Sequence, residues 1–222
     1  LEKAIYLAKS GRPGPVVLDI PADIQEKEID PEIDPEKIPS YDSEQDEIKF
    51  NIDKIDLQIE EFLNDLQNSK RPVVIVGTGI RLGDAFNELA KFAKKFKIPL
   101  FPTWNAMDCV TDDNPYFGGR IGVCGGKGRN YGIQNSDLLL CIGSRLSLRL
   151  NGGGLRYFAR EAKKYAVEID PNSMTSLEET LRVVEGANAF LIDVKIHSDA
   201  KLFLQRLLRK SENIDFPDFS EW

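Results

Sequence analysis

Gly77-Thr78-Gly79, Gly143-Ser144-Arg145 and the run Gly118 to Gly128 (GGRIGVCGGKG) are the residues whose types and spacing suit chemistry with a phosphate. Glycine lets backbone amides come close to an anion, and a helix that starts beside such a turn adds positive potential. Arg145 and Arg149 stand four residues apart, and Arg120 lies in the third glycine run. A guanidinium grips a pyrophosphate with two parallel hydrogen bonds. Thr78 and Thr103, with Gly122 and Gly125 in the long loop, complete the polar set. Glu168, Asp170 and Asp193 are expected at the ends of later strands, where each could accept from a ribose hydroxyl or an adenine amine. A glycine after a strand is also ordinary turn chemistry. Arg145 and Arg149 could equally pair with acids of a neighbouring subunit. No Walker-type GK[ST] follows the glycines,.

The elements that must position these residues read as an alternation. Ile55, Ile59, Phe62, Leu63 and Leu66 recur at helical spacing from about Asn51 to Asn68,. Val73–Val76 is a strand that runs into Gly77. A helix over about 83–96 follows, with Ala85, Leu89, Phe92, Ala93 and Phe96 inward. Ile98–Phe101 is the next strand, and an irregular stretch leads to a short helix over 128–135. Leu138–Ile142, Tyr165–Ile169 and Phe190–Val194 read as three more strands. A last helix is capped by Ser198 and runs to Lys210,. Strands separated by helix-length segments predict an α/β fold: a Rossmann-like parallel sheet of five or six strands with helices on both faces. Ligands of such sheets bind beyond the carboxyl ends of the strands.

The flanks differ in kind. Residues 3–10 read as the end of a helix, and Val16–Ile20 as a short buried parallel strand. One helix and one strand cannot bury their faces alone. Residues 1–25 are therefore expected to close a domain that begins elsewhere. The residues Leu1–Ala4, with neither an initiator Met nor a signal pattern, fit a boundary inside a longer polypeptide,. Residues 26–50 hold ten acids and three lysines, which equals the whole chain's net charge of −7. This proline-punctuated stretch reads as a solvated linker. Residues 211–222 read as the start of a second linker.

Composition sets limits. An acidic stripe argues against nucleic acid as a partner, and no apolar run approaches the length of a membrane span,. Three cysteines (Cys109, Cys124, Cys141) without CxxC spacing suit a reduced, cytoplasmic protein,. One histidine, His197, rules out a histidine-rich metal site.

The run Gly11-Arg12-Pro13-Gly14-Pro15-Val16-Val17-Leu18-Asp19-Ile20-Pro21-Ala22-Asp23-Ile24-Gln25 resembles the end of the pyrimidine-binding domain of acetolactate synthases and related thiamine-diphosphate enzymes. Pro72 to Gly79 is similar to the first strand and glycine turn of their central domain. Gln134 to Arg145 is similar to their QNADL…GAR segment, and Glu168-Ile169-Asp170-Pro171 to their DIDP strand end. Their GMHG reads here as Gly122-Val123-Cys124-Gly125, and their TLMG as Thr103-Trp104-Asn105-Ala106. The resemblance implies that 1–25 ends a pyrimidine-binding domain and that 51–210 is a central, nucleotide-binding-like domain. It implies that 211–222 leads to a diphosphate-binding domain. It places Gly77, Gly79, Arg145, Glu168 and Asp193 near FAD or ADP. Thiamine diphosphate and Mg belong to the full-length enzyme and are not bound by these residues. That enzyme would be a homodimer or homotetramer that decarboxylates a 2-keto acid and joins the remainder to a second carbonyl. The chain alone is expected to be inactive. The competing readings are a stand-alone Rossmann-like nucleotide-binding or interaction module and an NAD-dependent deacylase. For the deacylase, His197 would be the only histidine, set just before a surface helix.

Overall fold

The computed structural model of the chain describes residues 1–28, 48–147, 150, 158–175, 178–179 and 191–222. The chain divides into two compact units, Leu1–Lys49 and Phe50–Trp222.

In the first unit, α1 (Glu2–Lys9) and a single turn, α2 (Ala22–Gln25), bury no side chain. Between them, residues 16–20 form no strand. Val17 is 87% exposed, and Val16, Leu18 and Ile20 are exposed as well. The expected strand at Val16–Ile20 is thus corrected. Its apolar run has the composition of a strand, but no neighbouring strand among the described residues supplies hydrogen bonds,.

The second unit carries the sheet. Its strands are β1 (Pro72–Val76), β2 (Leu100–Pro102), β3 (Leu138–Ile142), β4 (Lys163–Glu168) and β5 (Val194–His197). All pairs are parallel, and the order is β2-β1-β3-β4-β5. The helices are α3 (Ile52–Asn68), α4 (Gly79–Leu82), α5 (Phe86–Phe96), α6 (Lys127–Gln134) and α7 (Ala200–Lys210).

Successive strand residues alternate between two cores. Val74, Val76, Leu140, Ile142, Tyr165, Val167 and Ile196 face α3, α5 and α7. Val73, Ile75, Phe101, Leu139, Cys141 and Ala166 face the other way, toward Ile133 of α6 and the segment around Phe158–Ala162. Because both faces are covered, β1 and β3 can be apolar at every position. The apolar stripe of α5 buries Leu89, Phe92, Ala93 and Phe96. Each of its large side chains contributes roughly 1.5–3 kcal/mol of burial.

The expected helix over about 83–96 is shorter, Phe86–Phe96, and a short turn, α4, precedes it. After α4, Asp84 takes a left-handed conformation, φ 49°, and α5 starts at Phe86. The second strand begins at Leu100 rather than Ile98. The last strand is Val194–His197 rather than Phe190–Val194, and Phe190 lies outside the described residues. That shift also moves the cap of α7. Asp199, not Ser198, accepts from the amides of Lys201 and Leu202 at 2.8 and 3.1 Å. Ser198 is buried.

Residues 211–222 pack on the same unit. Phe219 is buried and Phe216 lies against the α5-side core, while the indole of Trp222 donates to Pro72 O at 3.1 Å.

Candidate functional site

With β1 flanked by β2 on one side and β3 on the other, the chain leaves β1 in one direction and later crosses back over it. The crevice between the carboxyl ends of β1 and β3 is therefore the topological switch point, the place where open α/β sheets bind ligands.

The two glycine turns meet there. The Gly77 amide donates to Ile142 O at 2.8 Å, and the Gly79 amide to Gly143 O at 3.0 Å. A Cβ on Gly77 would stand 2.1 Å from Gly143 O, and one on Gly79 would stand 2.6 Å from Gly143 Cα. Gly143 has φ +61°, in the left-handed region,. The glycines are required because two backbones touch. Their amides are committed to each other's loop, so neither Gly77 nor Gly79 offers its N–H to a phosphate.

The side chains around this seam are what remain for a ligand. Gly143 and Leu146 (φ 48°) are both left-handed and bracket Ser144 and Arg145. Leu146 turns inward and is buried, while Arg145 is turned out and exposed. Ser144 Oγ accepts from the Leu146 amide at 3.3 Å. Arg145 has no ion-pair partner among the described residues. Thr78 stands at the head of α4. The Thr103 amide donates to Val76 O at 2.9 Å, which carries the β1–β2 ladder one residue past β2 and puts Thr103 on the rim.

Glu168 ends β4, one position from the switch point, and is buried. One of its oxygens accepts from the Ile169 amide at 3.1 Å. Asp170 stands at the same end. Its carboxylate accepts from the Asn172 amide at 3.0 Å and from Ser173 Oγ at 2.7 Å, so it starts the helical turn over 171–175.

Gly122 and Gly125 form a separate turn, with the Gly125 amide donating to Gly122 O at 2.8 Å. Asn130 clasps Gly122 in both directions at 3.1 Å. In the same loop, Arg120 is held by Asp112 at 2.8 Å. Asp193 is at the wrong end of the sheet. It precedes β5 and accepts from the Lys164 amide at 2.8 Å, near the start of β4. Its expected place at a strand's carboxyl end is corrected by the four-residue shift of that strand. Arg149 lies outside the described residues.

His197 ends β5, and Asp199 caps α7 at the same end of the sheet. A His197 ring nitrogen lies 3.0 Å from Ile169 O, and Phe50 packs edge-on against the ring. The alternation Val194-Lys195-Ile196-His197, buried and half-buried in turn, is the period-two signal that places His197 at a strand end.

Burial pushes the Cys141 thiol up to about 12, with the Glu168 charge adding to it, so this sulfur under the rim is not a nucleophile at neutral pH. Among the described residues, no three metal-ligating side chains come together.

Residues 59–207 match the family described as "Thiamine pyrophosphate enzyme, central domain". The chain is 34% identical, over 99% of its length, to a probable acetolactate synthase large subunit of Methanococcus aeolicus. It is 33% identical, over its full length, to the acetolactate synthase large subunit of Corynebacterium glutamicum. It is 30% identical, also over its full length, to the glyoxylate carboligase of Escherichia coli O157:H7. The chain spans 35%, 33% and 35% of these three proteins, about a third of each.

Proposed function

We propose that this chain, which belongs to the thiamine pyrophosphate enzyme family through its central domain, is the nucleotide-holding scaffold of an acetolactate synthase-like carboligase. The observation that carries the nucleotide reading is the switch point itself. Arg145, exposed and without an ion-pair partner among the described residues, follows β3, and a buried Glu168 ends the neighbouring β4, around a crevice floored by the Gly77–Gly143 contact. Arg145 would grip the diphosphate of ADP or FAD, since its position is set by the left-handed residues on either side,. Glu168, held by the Ile169 amide, would accept from a ribose hydroxyl. Thr103 would line the crevice from the β2 side.

In the whole protein, thiamine diphosphate with Mg supplies the chemistry that decarboxylates a 2-keto acid and joins the remainder to a second carbonyl. The residues of this chain provide no step of it, and its own role is to bind, orient and exclude water at the nucleotide. The proposal extends to the flanks: 1–25 ends a pyrimidine-binding domain, 26–50 links it to the central domain at 51–210, and 211–222 leads toward a diphosphate-binding domain. Dimers or tetramers of the full polypeptide and a cytoplasmic setting complete it. Three free cysteines support the latter,. No described helix is long and apolar enough to cross a membrane.

The test is titration of the purified chain with ADP and with FAD, followed by calorimetry. At least one should bind, and Arg145→Gln should weaken that binding about tenfold, or about 1.4 kcal/mol. If neither nucleotide binds, or if Arg145→Gln leaves binding unchanged, the nucleotide reading is wrong.

A further inference from the structure

A cavity of about 710 Å³ lies on the opposite side of the molecule's logic from the glycine seam. Its lining comes from the amino ends of the strands. Lys97 and Pro99 precede β2, Asn135 precedes β3, and Trp222 is bonded to Pro72 at the head of β1. The size falls within the range of about 300–1,000 Å³ typical of small-molecule sites. It neither shares a lining residue with the switch point nor depends on the nucleotide reading.

The walls are aromatic and fixed. Phe101 is buried in the sheet. Tyr116 and Phe117 are half-buried against the other core, and the Leu100–Phe117 bridge ties that segment to β2. Another wall is the segment Asp218–Trp222. Trp222 is anchored twice, through its indole to Pro72 O and through its amide to Phe219 O at 3.0 Å. Between these walls α6 presents Gly128 and Gly132, four residues apart and hence on one face,. A Cβ on Gly128 would meet nothing within 4 Å, and one on Gly132 would meet only the Phe101 ring at 3.5 Å. Each glycine costs an exposed helix about 1 kcal/mol relative to alanine. The space their missing side chains leave is the slot itself.

The charge of the lining is biased. Lys97 and Arg129 line the cavity and form no ion pair among the described residues. The one lining acid, Asp218, is engaged by the amide and the hydroxyl of Ser220 at 3.1 and 3.0 Å. Flat aromatic walls with two uncommitted cations suit one chemistry. We propose that this cavity is a second binding site, taking a planar aromatic anion whose ring stacks between Trp222 and the Tyr116–Phe117 wall. Lys97 and Arg129 hold its charge.

The chain contains two tryptophans, so the side-chain indole resonances report the two ends of the sheet separately. Trp104→Phe assigns them. Titration with 2-naphthoate should move the Trp222 indole signal saturably and leave that of Trp104 in place. Neutral 2-naphthamide should bind at least tenfold more weakly. Gly128→Leu, which fills the slot from an exposed helix position, should abolish the shift. Lys97→Gln with Arg129→Gln should weaken it at least tenfold while thermal stability stays the same. An unmoved Trp222 signal, equal binding of the amide, or full binding in Gly128→Leu would each overturn the proposal. None of these outcomes bears on ADP or FAD at the other end.

Discussion

The two ends of the sheet are closed by different means. At the amino end, side chains do the stapling. Asp137 accepts from Ser69 Oγ at 2.5 Å and from the amides of Lys70 and Arg71 at 2.8 and 3.0 Å, which pins the heads of β1 and β3. Asp193 does the same for the Lys164 amide. Lys163 bridges Glu61 and Asp65 at 2.7 Å each, and Tyr165 donates to Asp65. At the carboxyl end the backbone closes the structure: Gly77 to Ile142, Gly79 to Gly143, Thr103 to Val76, Gly143 to Val167 and Ser198 to Glu168. An end closed by backbone leaves side chains such as Arg145 uncommitted. An end closed by side chains gains stability from them. The same carboxylate chemistry thus means a staple in Asp137 and a candidate ligand contact in Glu168.

The comparison can be broken most forcefully at the glycine seam. Gly77→Ala drives a methyl into Gly143 O, and backbone cannot yield as a flexible side chain does. It should cost about 3 kcal/mol in urea unfolding. A cost near zero would mean that the two loops are not in contact. Asp137→Ala comes next, at about 2 kcal/mol, because it leaves backbone donors without partners. Its pH signature sharpens the contrast. Burial opposes ionisation of Asp137, but the Ser69 hydroxyl and the Lys70 and Arg71 amides hold its carboxyl below the ordinary value. Its stabilisation is therefore complete above the unfolded pKa of about 4 and is lost as pH falls through the lower folded value. The gap between wild type and Asp137→Asn, measured by unfolding from pH 7 to 2, should narrow below about pH 4. The smallest effect belongs to Asp193→Asn. It should cost about 1 kcal/mol and leave ADP or FAD affinity unchanged in calorimetry. A loss of nucleotide binding there would erase the distinction between the ends.

The fold was largely legible in the chain because its signals are local. The all-apolar runs Val73–Val76 and Leu138–Ile142 fit a sheet covered on both faces, and five apolar residues at helical spacing announce α3,. The failures have a common cause. Val16–Ile20 carries strand composition, but strandness needs a partner, which composition cannot supply. Phe190–Val194 was placed too early because Ile192, although buried, precedes the ladder, and only pairing with Tyr165 to Glu168 shows where β5 begins. That one shift moves Asp193 from the carboxyl end of a strand to the amino end of the sheet.

The order of residue types along the chain thus determined the parallel α/β class, the positions of most strands and the need for glycine at 77, 79 and 143. Backbone conformation and burial are written into local pattern, so they could be read without coordinates. Only the tertiary structure decided that those glycines serve each other. It alone showed that Arg145 is left exposed between two left-handed residues, and that a cavity opens between α6 and residues 218–222. Those outcomes depend on strand order and on which backbones come within 3 Å, and such distances are set by the packing of segments far apart in sequence.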